Sequence, residues 1–159
     1  MSDTNLDIEK LKNLQFKIMK DVAASALIPL MRIGDQLGLF QKLSELGPIN
    51  SKKFAEQVRV DERYLREWLY ALSATDFVSY DGEKEEFSLS PEQRAVFADE
   101  QGPANMMGAY EVLVGQVYAE EKVLEAFKTG NGVAYENACP LCFTGTATVS
   151  YTHLTLPTK

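Results

Sequence analysis

From residue 61 to 76 the chain reads Asp-Glu-Arg-Tyr-Leu-Arg-Glu-Trp-Leu-Tyr-Ala-Leu-Ser-Ala-Thr-Asp, with apolar Leu65, Trp68, Leu69 and Leu72 recurring at helical spacing among charged neighbours. Asp61 is a good N-cap, and Glu62 falls in the first turn, where the helix dipole favours an anion. The period then changes to two: Val78 and Tyr80 flank Ser79, Phe87 and Leu89 flank Ser88, and Asp81-Gly82 begins the polar turn between them. An amphipathic helix running into a short hairpin is the ending of a winged helix.

The upstream pattern supplies the beginning. Residues 7–20 place Ile8, Leu11, Leu14 and Ile18 on one helical face, with most lysines elsewhere, so this helix is expected to pack against something outside the winged helix. Residues 22–31 are apolar almost all round, which requires burial on more than one side, either in the core or shared between core and a subunit interface. Pro29 removes a backbone donor and crowds the carbonyl of Ser25, so a kink is expected there. The helix then continues to a glycine stop near Gly38. A short helix from Phe40 to Leu46 ends at Gly47-Pro48, and Asn50 or Ser51 caps a further one with Phe54, Ala55 and Val58 inward.

After the hairpin, Ser90-Pro91-Glu92-Gln93 is a capping box with proline at the first helical position. A longer helical pattern from Pro103 carries Met106, Tyr110, Leu113, Val114 and Val117, then Val123, Leu124 and Phe127, and stops at Thr129-Gly130. No regular pattern follows. The fold class expected is mainly α: a winged helix-turn-helix with a small β-hairpin wing, plus N- and C-terminal helical extensions. The expected organisation is a helical arm at 1–23, the winged helix at 24–98, a helical segment at 99–130, a linker at 131–147 and a non-native tail at 148–159.

Charge changes the functional picture. At 159 residues and 45% hydrophobic the chain suffices for one ordinary domain with extensions, and its net charge is −7. Residues 61–101, the presumed recognition helix and wing, carry 4 basic and 11 acidic residues. Arg63 and Arg66 are available to DNA, but Asp61, Glu62, Glu67 and Asp76 share their helix, and phosphate neutralisation supplies most non-specific affinity. Nucleic acid is therefore disfavoured as a partner. The longest nearly apolar run is too short to cross a bilayer, and two cysteines do not make a disulfide scaffold. A soluble cytoplasmic protein is expected, with no membrane partner.

Chemistry-bearing motifs are few. Cys139-Pro-Leu-Cys142 has the spacing of a redox pair or of half a zinc site, but a redox pair should open a helix after a strand and zinc needs four ligands. The sole histidine, His153, has no evident nucleophile partner, so neither catalytic nor metal residues are assigned. Gly130-Asn-Gly132 lacks the preceding strand of a cofactor loop. Met106, Met107 and Tyr110 are the candidate substrate-facing residues, since methionine adapts its shape and tyrosine offers a hydroxyl; an ordinary core stripe is the commoner meaning of such a pattern.

Several segments, in order, resemble the N-terminal half of two-domain class I S-adenosylmethionine-dependent methyltransferases: Ile33-Gly-Asp-Gln-Leu-Gly-Leu-Phe, Leu46-Gly-Pro-Ile, Asp61-Glu-Arg-Tyr-Leu-Arg-Glu-Trp-Leu, Phe87-Ser-Leu-Ser-Pro-Glu-Gln and Ala126-Phe-Lys-Thr-Gly-Asn-Gly-Val-Ala-Tyr. The resemblance implies a domain that forms a homodimer and helps to cover a small-molecule pocket, ahead of a Rossmann-like catalytic domain. Leu14, Ile18, Leu27, Leu30 and Met31 are the candidate dimer interface. S-adenosylmethionine would belong to the full-length parent. No cofactor is placed in this fragment, because the strand and glycine turn that would hold it do not occur here. The final run, Thr148-Val-Ser-Tyr-Thr-His-Leu-Thr-Leu-Pro-Thr-Lys, resembles the in-frame translation of a sequencing adapter, so His153 carries no functional weight. The function expected is a dimerisation and substrate-cap fragment, inactive alone. The alternatives are a winged-helix transcriptional regulator and a stand-alone homodimerisation module.

Overall fold

The computed structural model of the chain describes residues 6–154. Along it run α1 (Ile8–Ser25), α2 (Leu27–Gln36), α3 (Leu39–Leu46), α4 (Ser51–Val58), α5 (Glu62–Ser73), β1 (Ser79–Asp81), β2 (Glu86–Ser88), α6 (Pro91–Phe97), α7 (Met107–Tyr118), α8 (Glu120–Thr129), a 3₁₀ turn at Tyr135–Asn137, and α9 (Pro140–Leu154). This is a mainly helical winged helix-turn-helix with extensions at both ends.

Local chemistry sets most of these boundaries. The kink expected at Pro29 is a full break at Ala26, one turn upstream, where the proline ring crowds the helix and Pro29 has no N–H to offer the Ser25 carbonyl. Gly38 adopts the left-handed conformation (φ 63°) that ends α2 and starts α3. Asn50, rather than Ser51, caps α4 by accepting from the Lys53 N–H, and Asp61 caps α5 by accepting from Arg63 and Tyr64. The capping box is reciprocal: Gln93 N–H donates to Ser90 Oγ at 3.2 Å, and Ser90 N–H donates to Gln93 Oε1 at 2.7 Å.

The hairpin pairs Ser79 with Ser88, Tyr80 with Phe87 and Asp81 with Glu86 in antiparallel register. Ile49 adds a bridge to Phe87, so the residues leading into α4 touch the wing. Leu65, Trp68, Leu69 and Leu72 all point into the core, with Met31, Phe40, Leu43, Phe54, Val78 and Phe87. Phe40 lies edge-on to Trp68 at 5.2 Å between centroids, and Phe97 joins the stack at 5.4 Å from Phe40. Burial of this continuous apolar surface is the main force holding the winged helix together.

The C-terminal portion departs from the expectation of irregular chain after Gly130, because it contains the 3₁₀ turn and α9. This helix lacks an apolar period since it packs on α7 by close backbone approach. A Cβ on Gly108 would lie 2.7 Å from the Gly145 carbonyl oxygen, and one on Gly115 would lie 2.5 Å from Cys142 Sγ. Small residues on both helices permit the contact, and a search for large apolar residues passes over it. The adapter-like run 148–159 and the arm 1–23 each lie only partly within the described residues.

Candidate functional site

Helix α7 is the hub outside the winged helix, packing against α2 on one side and α9 on the other. Its tie to α2 is electrostatic as well as apolar. Arg32 Nη1 donates to Glu111 Oε1 at 2.7 Å and lies 3.7 Å from Asp35 Oδ2, with all three side chains largely shielded from water. Burial pushes the Asp35 carboxyl above the usual carboxylate range; Arg32 opposes this, while Glu111 and Glu100 add to it.

Asp35, Glu100 and Glu111 border a polar cavity of about 280 Å³ together with Asn105, Met107 and Thr148. Asn105 is buried and fixed, donating from Nδ2 to the Asp99 carbonyl and accepting through Oδ1 from the Met107 N–H, both at 3.0 Å. A larger apolar groove of about 600 Å³ opens between α2, α7 and α8, where Ile28, Leu113, Val117, Val123, Leu124 and Phe127 form its walls. Phe127 is 87% exposed, so the groove presents a large apolar surface to its surroundings.

The candidate substrate-facing residues do not form one group. Met107 is buried and borders the polar cavity, whereas Met106 is partly exposed and neither it nor Tyr110 lines the cavity or the groove. Tyr110 packs against the core, and burial pushes its phenol above the ordinary value. It therefore stays protonated at neutral pH. Among the candidate interface residues, Leu14 and Ile18 are exposed on α1, and Leu27 and Leu30 are half-buried beside the core. Met31 is a correction: at 0% exposure it is enclosed by its own chain and offers no surface to another, because its position on α2 turns it toward the core.

Sequence reasoning missed the polar cavity, although Arg32 directly after an apolar run was a usable signal: a cation there needs a partner when its helix is buried. The groove residues were visible as a helical stripe, but one assigned to the core. Cys139 immediately precedes α9, so the pair opens a helix, contrary to the reading of an irregular tail, but a 3₁₀ turn and not a strand leads into it. Among the described residues no cluster of three or more His, Cys, Asp or Glu could hold a metal ion, and no described helix is long and apolar enough to cross a membrane. On the recognition helix, Arg66 is already paired with Glu62 at 3.1 Å, which leaves the exposed face of α5 poorer in free cation than its composition suggests.

Residues 23–98 match the Rv2258c-like winged HTH domain family. This segment of the chain is similar to that family's domain. Its three-dimensional neighbours extend over more of the chain. A Nostoc punctiforme protein assigned as an O-methyltransferase superposes with a TM-score of 0.61 at 19% identity, covering 89% of this chain and 42% of that one. Human N-acetylserotonin methyltransferase in complex with S-adenosylmethionine superposes at 0.59 and 14% identity, covering 97% and 45%. CalO1, a methyltransferase of calicheamicin biosynthesis solved with S-adenosylhomocysteine, superposes at 0.53 and 18% identity, covering 94% and 44%. At these identities the likeness is one of fold, and the winged-helix chain spans less than half the length of each neighbour. No curated protein matches the sequence.

Proposed function

We propose that this chain is the dimerisation and substrate-cap portion of an S-adenosylmethionine-dependent methyltransferase acting on a small molecule, with the cofactor and the methyl-transfer chemistry belonging to a separate Rossmann-like domain of the parent. The observation that carries this reading is the asymmetry of the fold match: nearly all of this chain corresponds to less than half of each methyltransferase. In this reading 24–98 is the body, 1–23 and 99–130 are helical arms, and 131–147 leads toward the catalytic domain. The run 148–159 is adapter-derived.

Leu14, Ile18, Leu27 and Leu30 form the outward apolar surface of the dimer, with Met31 supporting it from the core. Met106, Met107 and Tyr110 lie on the α7 side from which a substrate would be covered. An acidic wing with no nucleic acid to meet is consistent with that role. Sedimentation equilibrium tests the reading directly: a dimer in the micromolar range is expected, and a monomer at high micromolar concentration would overturn it. Salt-dependent DNA binding would favour a transcriptional regulator instead. Resequencing the source DNA through the codons for 139–159 tests the tail, where continuation into a hydrophobic strand and glycine-rich turn is expected.

A further inference from the structure

Cys139 and Cys142 frame the start of α9, and the Cys142 N–H donates to the Cys139 carbonyl at 2.9 Å, closing a single turn between them. Residues three apart on one helical turn bring their Cβ atoms to about 5–6 Å, and a disulfide requires about 3.5–4.5 Å, so a small adjustment of the first turn suffices to join the sulfurs. Neither residue is fully buried.

The two thiols have different surroundings. Cys139 lies just outside the N-terminal end of α9. Cys142 is turned toward α7, where its Sγ lies over Gly115 and approaches the Val112 carbonyl at 4.0 Å. Cys142 is thus held inside the notch, so the outer sulfur of Cys139 is the one that a disulfide in solution meets first. The preceding segment is anchored, since Lys122 Nζ donates to the Asn137 carbonyl at 2.6 Å and the Tyr135 and Phe143 rings meet at 4.4 Å between centroids.

We propose that Cys139 and Cys142 are a dithiol–disulfide redox site whose oxidant is a small-molecule disulfide of the glutathione class. The Cys139 thiolate attacks one sulfur of oxidised glutathione, forming a mixed disulfide and releasing one glutathione thiolate. Cys142 then gives up its proton, displaces the second glutathione from Cys139 and closes the protein disulfide. The protein loses two electrons and two protons, and one oxidised glutathione becomes two reduced molecules. Closure draws Cys142 Sγ out of the notch over Gly115, so the oxidised chain holds α9 less firmly against α7.

The test is equilibration of the full chain in glutathione buffers of graded potential, followed by alkylation and intact mass. The wild type is expected to lose the mass of two hydrogens and to become unreactive to alkylation at both cysteines together. Cys142→Ser is expected to stop at the mixed glutathione adduct on Cys139, and Cys139→Ser to form far less adduct. Hydrogen exchange should speed up over residues 140–147 of α9 in the oxidised wild type and stay unchanged in Cys142→Ser, which also shows whether each variant is folded. A wild type that keeps two alkylatable thiols in the most oxidising buffer, or that accumulates the mixed adduct without closing, would overturn the proposal.

Discussion

The Trp68 indole N–H donates to the Leu30 carbonyl at 2.8 Å, across 38 positions of sequence, and so ties the recognition helix to the helix that leads out toward α1. Its ring is also packed edge-on by Phe40. Trp68→Ala removes both contacts and opens a cavity at the centre of the core, a loss that typically costs about 3–5 kcal/mol. Urea denaturation is expected to show a domain largely unfolded or severely destabilised, and a well-folded Trp68→Ala protein would show that the core is organised elsewhere.

Gly34 makes the same junction possible from the other side. A Cβ there would fall 2.5 Å from Trp68 Cζ2 and 2.6 Å from Phe40 Cε2, two rings that neighbours hold in place. Alanine is intrinsically the better helix former by roughly 1 kcal/mol, but overpacking a core usually costs about 1–3 kcal/mol, so the clash prevails. Gly34→Ala should lower the urea midpoint. Gly132→Ala, which meets nothing within 4 Å, should leave it nearly unchanged.

Comparing the two ends of the chain explains what the sequence discloses. Residues 61–98 were legible because each boundary has a local cause: the Asp61 cap, the change to period two at Val78, and the Ser90–Gln93 box. The α7–α9 pairing was not, since it depends on what Gly108, Gly115 and Gly145 lack rather than on what they carry. Nor was the Arg32–Glu111 pair, whose members are 79 positions apart and meet only once α7 is laid against α2. Burial is likewise decided by the neighbour: Met31 and Leu14 are both apolar residues at helical spacing, and only packing makes one core and the other surface.

Gln93 links the capping box to the wing. Its Oε1 accepts from both Ser90 N–H and Ser79 Oγ, and its Nε2 donates to the Asp76 carbonyl at 2.8 Å. Ser90→Ala loses the cap and an exposed bond from its hydroxyl to Glu92, at about 1 kcal/mol. Gln93→Ala leaves several partners without their bond and should cost about 1–3 kcal/mol. Chemical denaturation of the two variants side by side should rank Gln93→Ala as the more damaging.

The half-buried carboxyl of Asp35 gives a pH dependence of unusual sign for an acid. Its folded pKa lies above the ordinary aspartate value of 3.8, chiefly through burial, so the folded state binds a proton more tightly than the unfolded chain. Asp35 therefore opposes folding at neutral pH, and that opposition fades as pH falls through the raised pKa toward 3.8. Asp35→Asn should raise the thermal midpoint at pH 7, and its advantage over wild type should shrink on acidification through that window. An advantage that grew toward low pH would mean that Arg32, not burial, governs this carboxyl.

Helix α1 has no buried residue in its own chain, yet it carries exposed Leu14, Phe16, Ile18, Met19 and Val22. Solvent-facing apolar side chains at this density are explained by a covering surface, and the proposed function supplies one in a second copy. In a two-fold interface each substitution acts twice, and burying one such side chain is worth about 1.5–3 kcal/mol, so Ile18→Glu should weaken dimerisation by about 100-fold or more. Because Ile18 supports nothing within the protomer, the far-ultraviolet circular dichroism and thermal midpoint of the monomer should remain those of a folded winged helix. A variant that unfolds would place α1 in the core of the chain, and one that sediments like the wild type would move the interface away from α1.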